Sequence, residues 1–293
     1  MKYTPPFKVT TKIIDLISKI SLNIGKLEAI DSTSTLPMLR KVNQIRTITG
    51  TLQIEGNTLD EEKITALIEG KRVLGKVDEI AEANGAIALY KMLEDLNFKD
   101  EKELLKSHKI LMSELLKDAG KYRTSDVGVG GKDGVVHVAP PNSQISKLMN
   151  DLFSWLNATD VHPLIVSSVF HYEFEFIHPF IDGNGRMGRF WQSLILYNWN
   201  NYFSVIPIES IIRDKQQEYY KVLEECGSSG ESTLFIEFAL KSILEAIDKV
   251  GNKVGNKVGN LTDNQKVIIE QIKLDNKISA SKLSDIVGIS KRK

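Results

Sequence analysis

Within one short stretch, His178-Pro179-Phe180-Ile181-Asp182-Gly183-Asn184-Gly185-Arg186-Met187-Gly188-Arg189, the chain gathers a base, a carboxylate, closely spaced glycines and two arginines. Gly183 and Gly185 permit backbone conformations closed to residues with a side chain, so successive N–H groups can converge on an anion. The apolar run that follows, Phe190, Trp191, Leu194, Ile195, Leu196 and Trp199, predicts a helix from about Gly185. The positive end of that helix would face the same anion. Arg186 and Arg189, three apart, share one side of its first turn. Together these features make a cradle for nucleotide phosphates. Asp182 adds the carboxylate that a hard cation bridging phosphate oxygens requires, and Asn184 can give its amide to an α-phosphate. His178 has a side chain suited to removing a proton from an incoming hydroxyl near neutral pH. Each residue alone has a plainer reading, a packed histidine after Phe174-Glu175-Phe176-Ile177 or a Gly-Asn-Gly turn. Neither explains the joint spacing.

The stretch matches every position of H-x-F-x-(D/E)-G-N-G-R-x-x-R and so resembles the signature of the Fic family of protein adenylyltransferases, with the likeness extending over roughly residues 35–245. The resemblance implies transfer of AMP from ATP, with Mg2+, to a Tyr, Ser or Thr hydroxyl of a protein, the chain itself included. It implies His178 as general base, Asp182 as metal ligand, and Gly183, Asn184, Gly185, Arg186 and Arg189 as the ATP-phosphate cradle.

Thr51-Leu52-Gln53-Ile54-Glu55-Gly56 resembles the family's inhibitory motif, (S/T)-x-x-x-E-(G/N), built on Thr51, Glu55 and Gly56. That resemblance implies that Glu55 reaches the ATP site, pairs with Arg189 and holds activity down. Val135-Val136-His137-Val138 resembles the family's flap, over the active-site mouth, where an exposed strand edge can align a target segment, and the resemblance also implies these four residues at the ATP site. Tyr219 and Tyr220 resemble paired tyrosines near the adenine, and Tyr219 is assigned to ATP. A homodimer is implied in the same way. Removal of AMP from modified proteins, or transfer of another nucleotide or phosphate group, would use the same site. A DNA-binding regulator with this domain as effector is a reading of a different class.

The elements that must position these residues read as helices. Ile13, Leu16, Ile17, Ile20, Ile24 and Leu27 recur at helical intervals, as do apolar stripes over 36–54, 80–96, 104–116, 145–156 and 164–176. Thr58 with Glu61, and Asp100 with Glu103, have the spacing of capping boxes. Tyr122 to Ala139 breaks the pattern, being rich in Val and Gly around Asp133-Gly134, and predicts a β-hairpin. Its Gly128-Val129-Gly130-Gly131-Lys132 lacks the spacing of a phosphate loop or a dinucleotide fingerprint, so it reads as a turn. His108, His162 and His171 read as structural. The expected fold is an all-α, Fic-type helical bundle with one hairpin flap. Four segments follow: 1–99, helical with the inhibitory motif; 100–248, the Fic domain with flap and adenine-side helices; 249–260, a repetitive linker; and 261–293, a partial winged helix-turn-helix.

The linker repeats Lys-Val-Gly-Asn, and a glycine in each repeat, at about 1 kcal/mol against a helix, predicts irregular chain. Beyond it, short helices are expected from Thr262 and over Ser279 to Val287, and the recognition helix would begin where the chain ends, so specific DNA binding is not expected.

Over 293 residues, 38 Lys+Arg balance 38 Asp+Glu, which excludes a uniformly basic nucleic-acid coat. The zero conceals two parts: residues 249–293 carry 10 basic and 4 acidic side chains, the remainder 28 and 34. A single cysteine, Cys226, allows no internal disulfide and no cysteine metal site, so the cytoplasm is the expected compartment. Neither a signal peptide nor a membrane span is expected.

Overall fold

In a computed structural model the chain is a helical bundle with one hairpin, described over residues 3–30, 36–131 and 134–259 and at positions 267, 271, 282 and 286. The helices are α1 (Thr11–Ile30), α2 (Leu36–Ile54), α3 (Glu61–Ile68), α4 (Val77–Lys91), α5 (Glu101–Met112), α6 (Ile145–Ala158), α7 (Pro163–Ile177), α8 (Asn184–Trp199), α9 (Ile208–Asp214), α10 (Gln216–Ser229) and α11 (Thr233–Gly259). Strands β1 (Gly128–Gly131) and β2 (Gly134–Val138) pair antiparallel between α5 and α6.

The bundle is organised on α7 and α8, which pack directly on one another. A helix apolar on all sides belongs in the interior, and α7 is buried without interruption from Leu164 to Phe174. Pro163 stands at its first turn, where its missing N–H removes no helical bond, and His162 Nδ1 caps it by accepting from Leu164 N at 3.2 Å. Trp191 on α8 meets Phe170 and Phe153 with ring centroids 6.2 and 6.3 Å apart, and its indole Nε1 donates to Phe98 O at 3.1 Å. This aromatic core fixes the register of α7 against α8, and therefore the loop between them.

The helix starts refine the capping expectation. Asp60, not Thr58, caps α3, accepting from Lys63 N at 2.9 Å, while Thr58 Oγ1 donates to Glu79 at 2.8 Å. Asp is as good a cap as Thr, and it stands directly before the first helical residue. Asp100 caps α5 as expected, accepting from Lys102 N at 2.8 Å, but Glu103 pairs with Lys106 instead of completing the box. The hairpin forms where it was expected, with Gly128 opposite Val138, Val129 opposite His137 and a register shift between Val129 and Gly130. Residues 132 and 133, with half of the expected Asp133-Gly134 turn, lie outside the described residues.

The chain divides into two compact units, Met1–Ile247 and Asp248–Lys293. In the first, α11 buries Phe235, Ile236, Leu240 and Ile243. Helical backbone continues through Gly259, where the glycine-bearing repeat had predicted irregular chain. Extending a helix already nucleated by an apolar stretch is far easier than starting one, and this offsets the glycine penalties. The helices expected within 261–293 lie outside the described residues, apart from isolated helical positions at 267, 271, 282 and 286. Among the described residues no helix is long and apolar enough to cross a membrane.

Candidate active site

The loop from α7 to α8 begins at His178, which ends α7 in left-handed backbone, φ 50 and ψ 59. Among the described residues it is the only non-glycine with positive φ. Such a conformation persists only where the surroundings over-determine it, and it clusters at functional positions. Here His178 N donates to Phe174 O at 2.9 Å, Pro179 prevents the helix from continuing, and His178 O accepts from Arg123 Nε at 2.8 Å. His178 Nδ1 faces Glu175 O at 3.4 Å, a contact that favours the proton on Nδ1 and makes Nε2 the basic nitrogen.

The far end of the loop is held from α5. His108 is buried and stacks on Phe180 at 3.6 Å and 5°. Its Nδ1 accepts from Gly120 N at 2.8 Å, so Nε2 carries the proton and donates to Asp182 O at 3.0 Å. Burial depresses its pKa to about 4, keeping the ring neutral. Asn184 is likewise a loop brace: Oδ1 accepts from Phe180 N and Nδ2 donates to Phe180 O, both at 2.9 Å. Both ends of this buried side chain are thus engaged within the loop, and one Nδ2 hydrogen remains for the α-phosphate that the sequence assigns to it.

Gly183, at φ 82, turns the chain into α8, and no side chain caps the helix. The first N–H groups of α8 therefore face the site without intrahelical partners. Gly185 matters for a different reason: a Cβ there would meet Glu55 Oε1 and sit 3.0 Å from Arg189 Nη1. A carboxylate thus lies directly over the first turn of α8, where a helix N-terminus attracts an anion.

That carboxylate is held by Arg189, whose Nη2 lies 2.6 Å from Glu55 Oε1. The same guanidinium donates from Nε to Thr51 Oγ1 at 3.0 Å and from Nη2 to Thr51 O at 3.2 Å. Arg189 is 1% exposed, and its Nη1 is buried without a hydrogen-bond partner. Burial alone would lower its pKa; the Glu55 carboxylate beside it outweighs burial and holds the group above its usual range. Glu55 is presented by the end of α2, where Glu55 N and Gly56 N bond back to Leu52 O and Gln53 O and Gly56 turns at φ 89. Thr51 and Glu55 are therefore brought to Arg189 together, with Gly56 turning the chain just beyond them.

Arg186 places Nη2 3.0 Å from Asp182 Oδ1 and Nη1 3.0 Å from Glu82 Oε1, the latter not aligned as a hydrogen bond. Asp182 is half-exposed, and its second oxygen faces no partner among the described residues. No group of three or more His, Cys, Asp or Glu that could hold a metal occurs among the described residues. One free carboxylate oxygen beside an anion site nevertheless fits Mg2+, which commonly takes only one or two protein ligands and completes its shell with phosphate and water.

The two tyrosines assigned near the adenine are placed differently. Tyr219 is 1% exposed, packs on Phe235 and Phe238, and meets His171 Nε2 at 3.1 Å. Tyr220 is its exposed neighbour, with its hydroxyl donating to Ile54 O at 3.2 Å. Strand β2, with Val135, Val136, His137 and Val138, runs beside α10, the helix that carries both tyrosines. The side chains of these four residues lie outside the described part. Sequence reasoning missed Arg123 and Glu175. Glu175 precedes His178 by one helical turn and is pushed up to about 8 by burial, opposed by Arg189 and reinforced by Glu55.

Bundle and loop together place His178, an uncapped helix start and the Glu55 carboxylate in one site. The Fic/DOC family model matches residues 98–196. A solved Fic family protein from Desulfovibrio desulfuricans G20 is 42% identical, with 99% of this chain and 87% of that one covered and a TM-score of 0.81. The chain belongs to the Fic/DOC family. Protein adenylyltransferase Fic of Nematostella vectensis is 29% identical over 252 residues, 80% of this chain and 55% of the relative. Its namesake in Aedes aegypti is 31% identical over 219 residues, 71% and 42%. The chain spans about half the length of these curated relatives.

Proposed function

We propose that the chain is a self-inhibited protein adenylyltransferase that moves AMP from ATP to a hydroxyl side chain of a protein. The observation that carries the reading is the juxtaposition in one loop of the His178 base and an uncapped helix start. An internal carboxylate, Glu55, covers that start and is held by Arg189. The names of the curated relatives support the same reaction class.

In this mechanism the phosphates of ATP lie on the N–H groups at the start of α8, with Arg186 and Arg189 as their cationic partners. Asp182 would hold Mg2+, which neutralises phosphate charge when bound. His178 Nε2 takes the proton of the target hydroxyl as its oxygen attacks the α-phosphorus. A new P–O bond forms, the bond to the β-phosphate oxygen breaks, and pyrophosphate leaves with the electron pair. Glu55 opposes this by occupying Arg189, so ATP that enters while the pair persists is held with its α-phosphate out of line. A segment aligned on the free edge of the hairpin would present its hydroxyl by backbone pairing.

ATP labelled on the α-phosphate or on the γ-phosphate separates the possible reactions. The Glu55→Gly protein should acquire, or pass to a target, the α label and not the γ label. Transfer of the γ label would overturn adenylylation in favour of phosphoryl transfer. Loss of label from a pre-adenylylated target, with none gained, would indicate AMP removal instead.

A further inference from the structure

Arg123 lies outside the signature and the inhibitory motif, and the chemistry above does not use it. Its side chain is fully buried, yet the nearest carboxylate, Asp126, is 4.0 Å away and largely exposed. The guanidinium donates instead to three backbone carbonyls: Nε to His178 O at 2.8 Å, Nη1 to Ser125 O at 2.7 Å and Nη2 to Pro140 O at 2.6 Å. Its own N–H donates to Pro179 O at 2.9 Å.

These four acceptors belong to two places. Ser125 and Pro140 bracket the hairpin β1–β2; His178 and Pro179 open the signature loop. Asn142 closes the hairpin base further, its N donating to Asp126 Oδ1 and its Nδ2 to Thr124 O, both at 2.7 Å. A buried cation whose one carboxylate neighbour stands 4.0 Å away is tolerated only when its donors are met. The planar guanidinium fork meets three carbonyls pointing from different strands of chain; a lysine ammonium, a compact charge on a flexible stem, does not reproduce that geometry. One of those carbonyls belongs to the left-handed His178, so Arg123 also helps hold the strained backbone that aims the ring.

We propose that Arg123 is a positioning residue that fixes the target-docking hairpin and the base His178 in one frame, so that a hydroxyl aligned on the hairpin arrives in register with the nitrogen that takes its proton. This rests on the adenylyl-transfer reading. It predicts that loosening Arg123 disturbs the hairpin base and the His178 loop together and slows transfer while leaving ATP binding in place. The phosphate cradle at the start of α8 is held separately, by Asn184, His108 and the α7–α8 core.

The test compares Glu55→Gly with Glu55→Gly/Arg123→Lys, and with Arg123→Ala as the more severe variant. Hydrogen–deuterium exchange without nucleotide is read by mass spectrometry, together with ATP affinity and transfer rate under saturating ATP. In Arg123→Lys, exchange should rise in peptides covering both 124–142 and 178–183 while α7 and α8 stay protected. The rate should fall on the order of tenfold or more, as expected for a misplaced base, with the ATP Kd changed by less than about twofold. Faster exchange in the hairpin alone, or an unchanged rate, would overturn the proposal. If Arg123→Ala fails to fold, the lysine variant, which keeps the charge, decides. If Glu55→Gly itself transfers no AMP, the adenylyl-transfer reading fails, and the exchange pattern still decides whether Arg123 joins the two segments.

Discussion

Glu55 Oε1 and Arg189 Nη2 stand 2.6 Å apart, with the carboxylate lying over Gly185 at the first turn of α8. The space over the start of the signature helix is thus filled by a side chain of the same chain. An arginine that is 1% exposed and backed by Thr51 makes this pair a strong, charge-assisted contact. Each 1.4 kcal/mol by which the closed arrangement is favoured lowers the competent fraction about tenfold.

His178→Ala in the Glu55→Gly background should abolish transfer while leaving the ATP Kd within about threefold, because the cradle on α8 does not include the imidazole. Calorimetric titration and a labelled-ATP assay measure the two quantities. Retained transfer would remove His178 as the base.

Gly185→Ala separates displacement of the inhibitor from opening of the site. The added methyl would meet Glu55 Oε1, and in the proposed mechanism it would also stand over the N–H groups that take the phosphate. The variant should therefore stay inactive and bind ATP at least about tenfold more weakly, although Ala is favoured over Gly within a helix by about 1 kcal/mol. Activation comparable with Glu55→Gly would contradict this.

Glu175 links the site to pH. Its carboxyl, ordinarily near 4.5, is raised to about 8 by burial, so the folded state holds a proton that the unfolded state releases. A raised acid contributes no penalty below the unfolded value and destabilises progressively as pH rises from about 4.5 through about 8. Urea midpoints at about pH 6 and about pH 9 should show the wild type losing stability at the higher pH. Glu175→Gln, which cannot ionise, should lose distinctly less. Parallel pH dependences in the two proteins would exclude Glu175 as the source.

The two adjacent tyrosines should behave differently. Tyr219→Phe removes the buried contact with His171 and should cost about 1–2 kcal/mol of stability with the ATP Kd unchanged. Tyr220→Phe removes a hydroxyl that ties α10 to Ile54 O at the end of α2, beside the Glu55 presentation. It should leave stability within about 0.5 kcal/mol and raise basal transfer modestly. Thermal melts and initial rates on both variants check the pair.

Much of this was legible in the sequence because it rests on local rules. The apolar periodicity of 164–176 and 190–199 specified α7 and α8, and the loop between them followed from Pro179 and two glycines. Glu55 was legible through a motif, and its partner Arg189 through the motif's counterpart. What escaped was decided by side-chain direction in three dimensions. Which of Tyr219 and Tyr220 faces the core depends on the rotation of α10 against α11. Whether the Asn184 amide points to a ligand or back to Phe180 depends on the loop closing around its own backbone. Arg123 had no sequence signal at all, since its partners are carbonyl oxygens, which every residue possesses. The glycine-bearing repeat misled for a related reason: local propensity predicted irregular chain, but the helix was already nucleated upstream.

The central claim is that Glu55 restrains an adenylyl transfer centred on His178, and intact-mass spectrometry tests it most directly. Wild type and Glu55→Gly are incubated with ATP and magnesium, and each protein is weighed before and after. Added AMP is expected on Glu55→Gly, accumulating at least about tenfold faster than on the wild type and lost when His178 is also replaced by Ala. Equal accumulation on the two proteins, or an added phosphate mass in place of AMP, would contradict it.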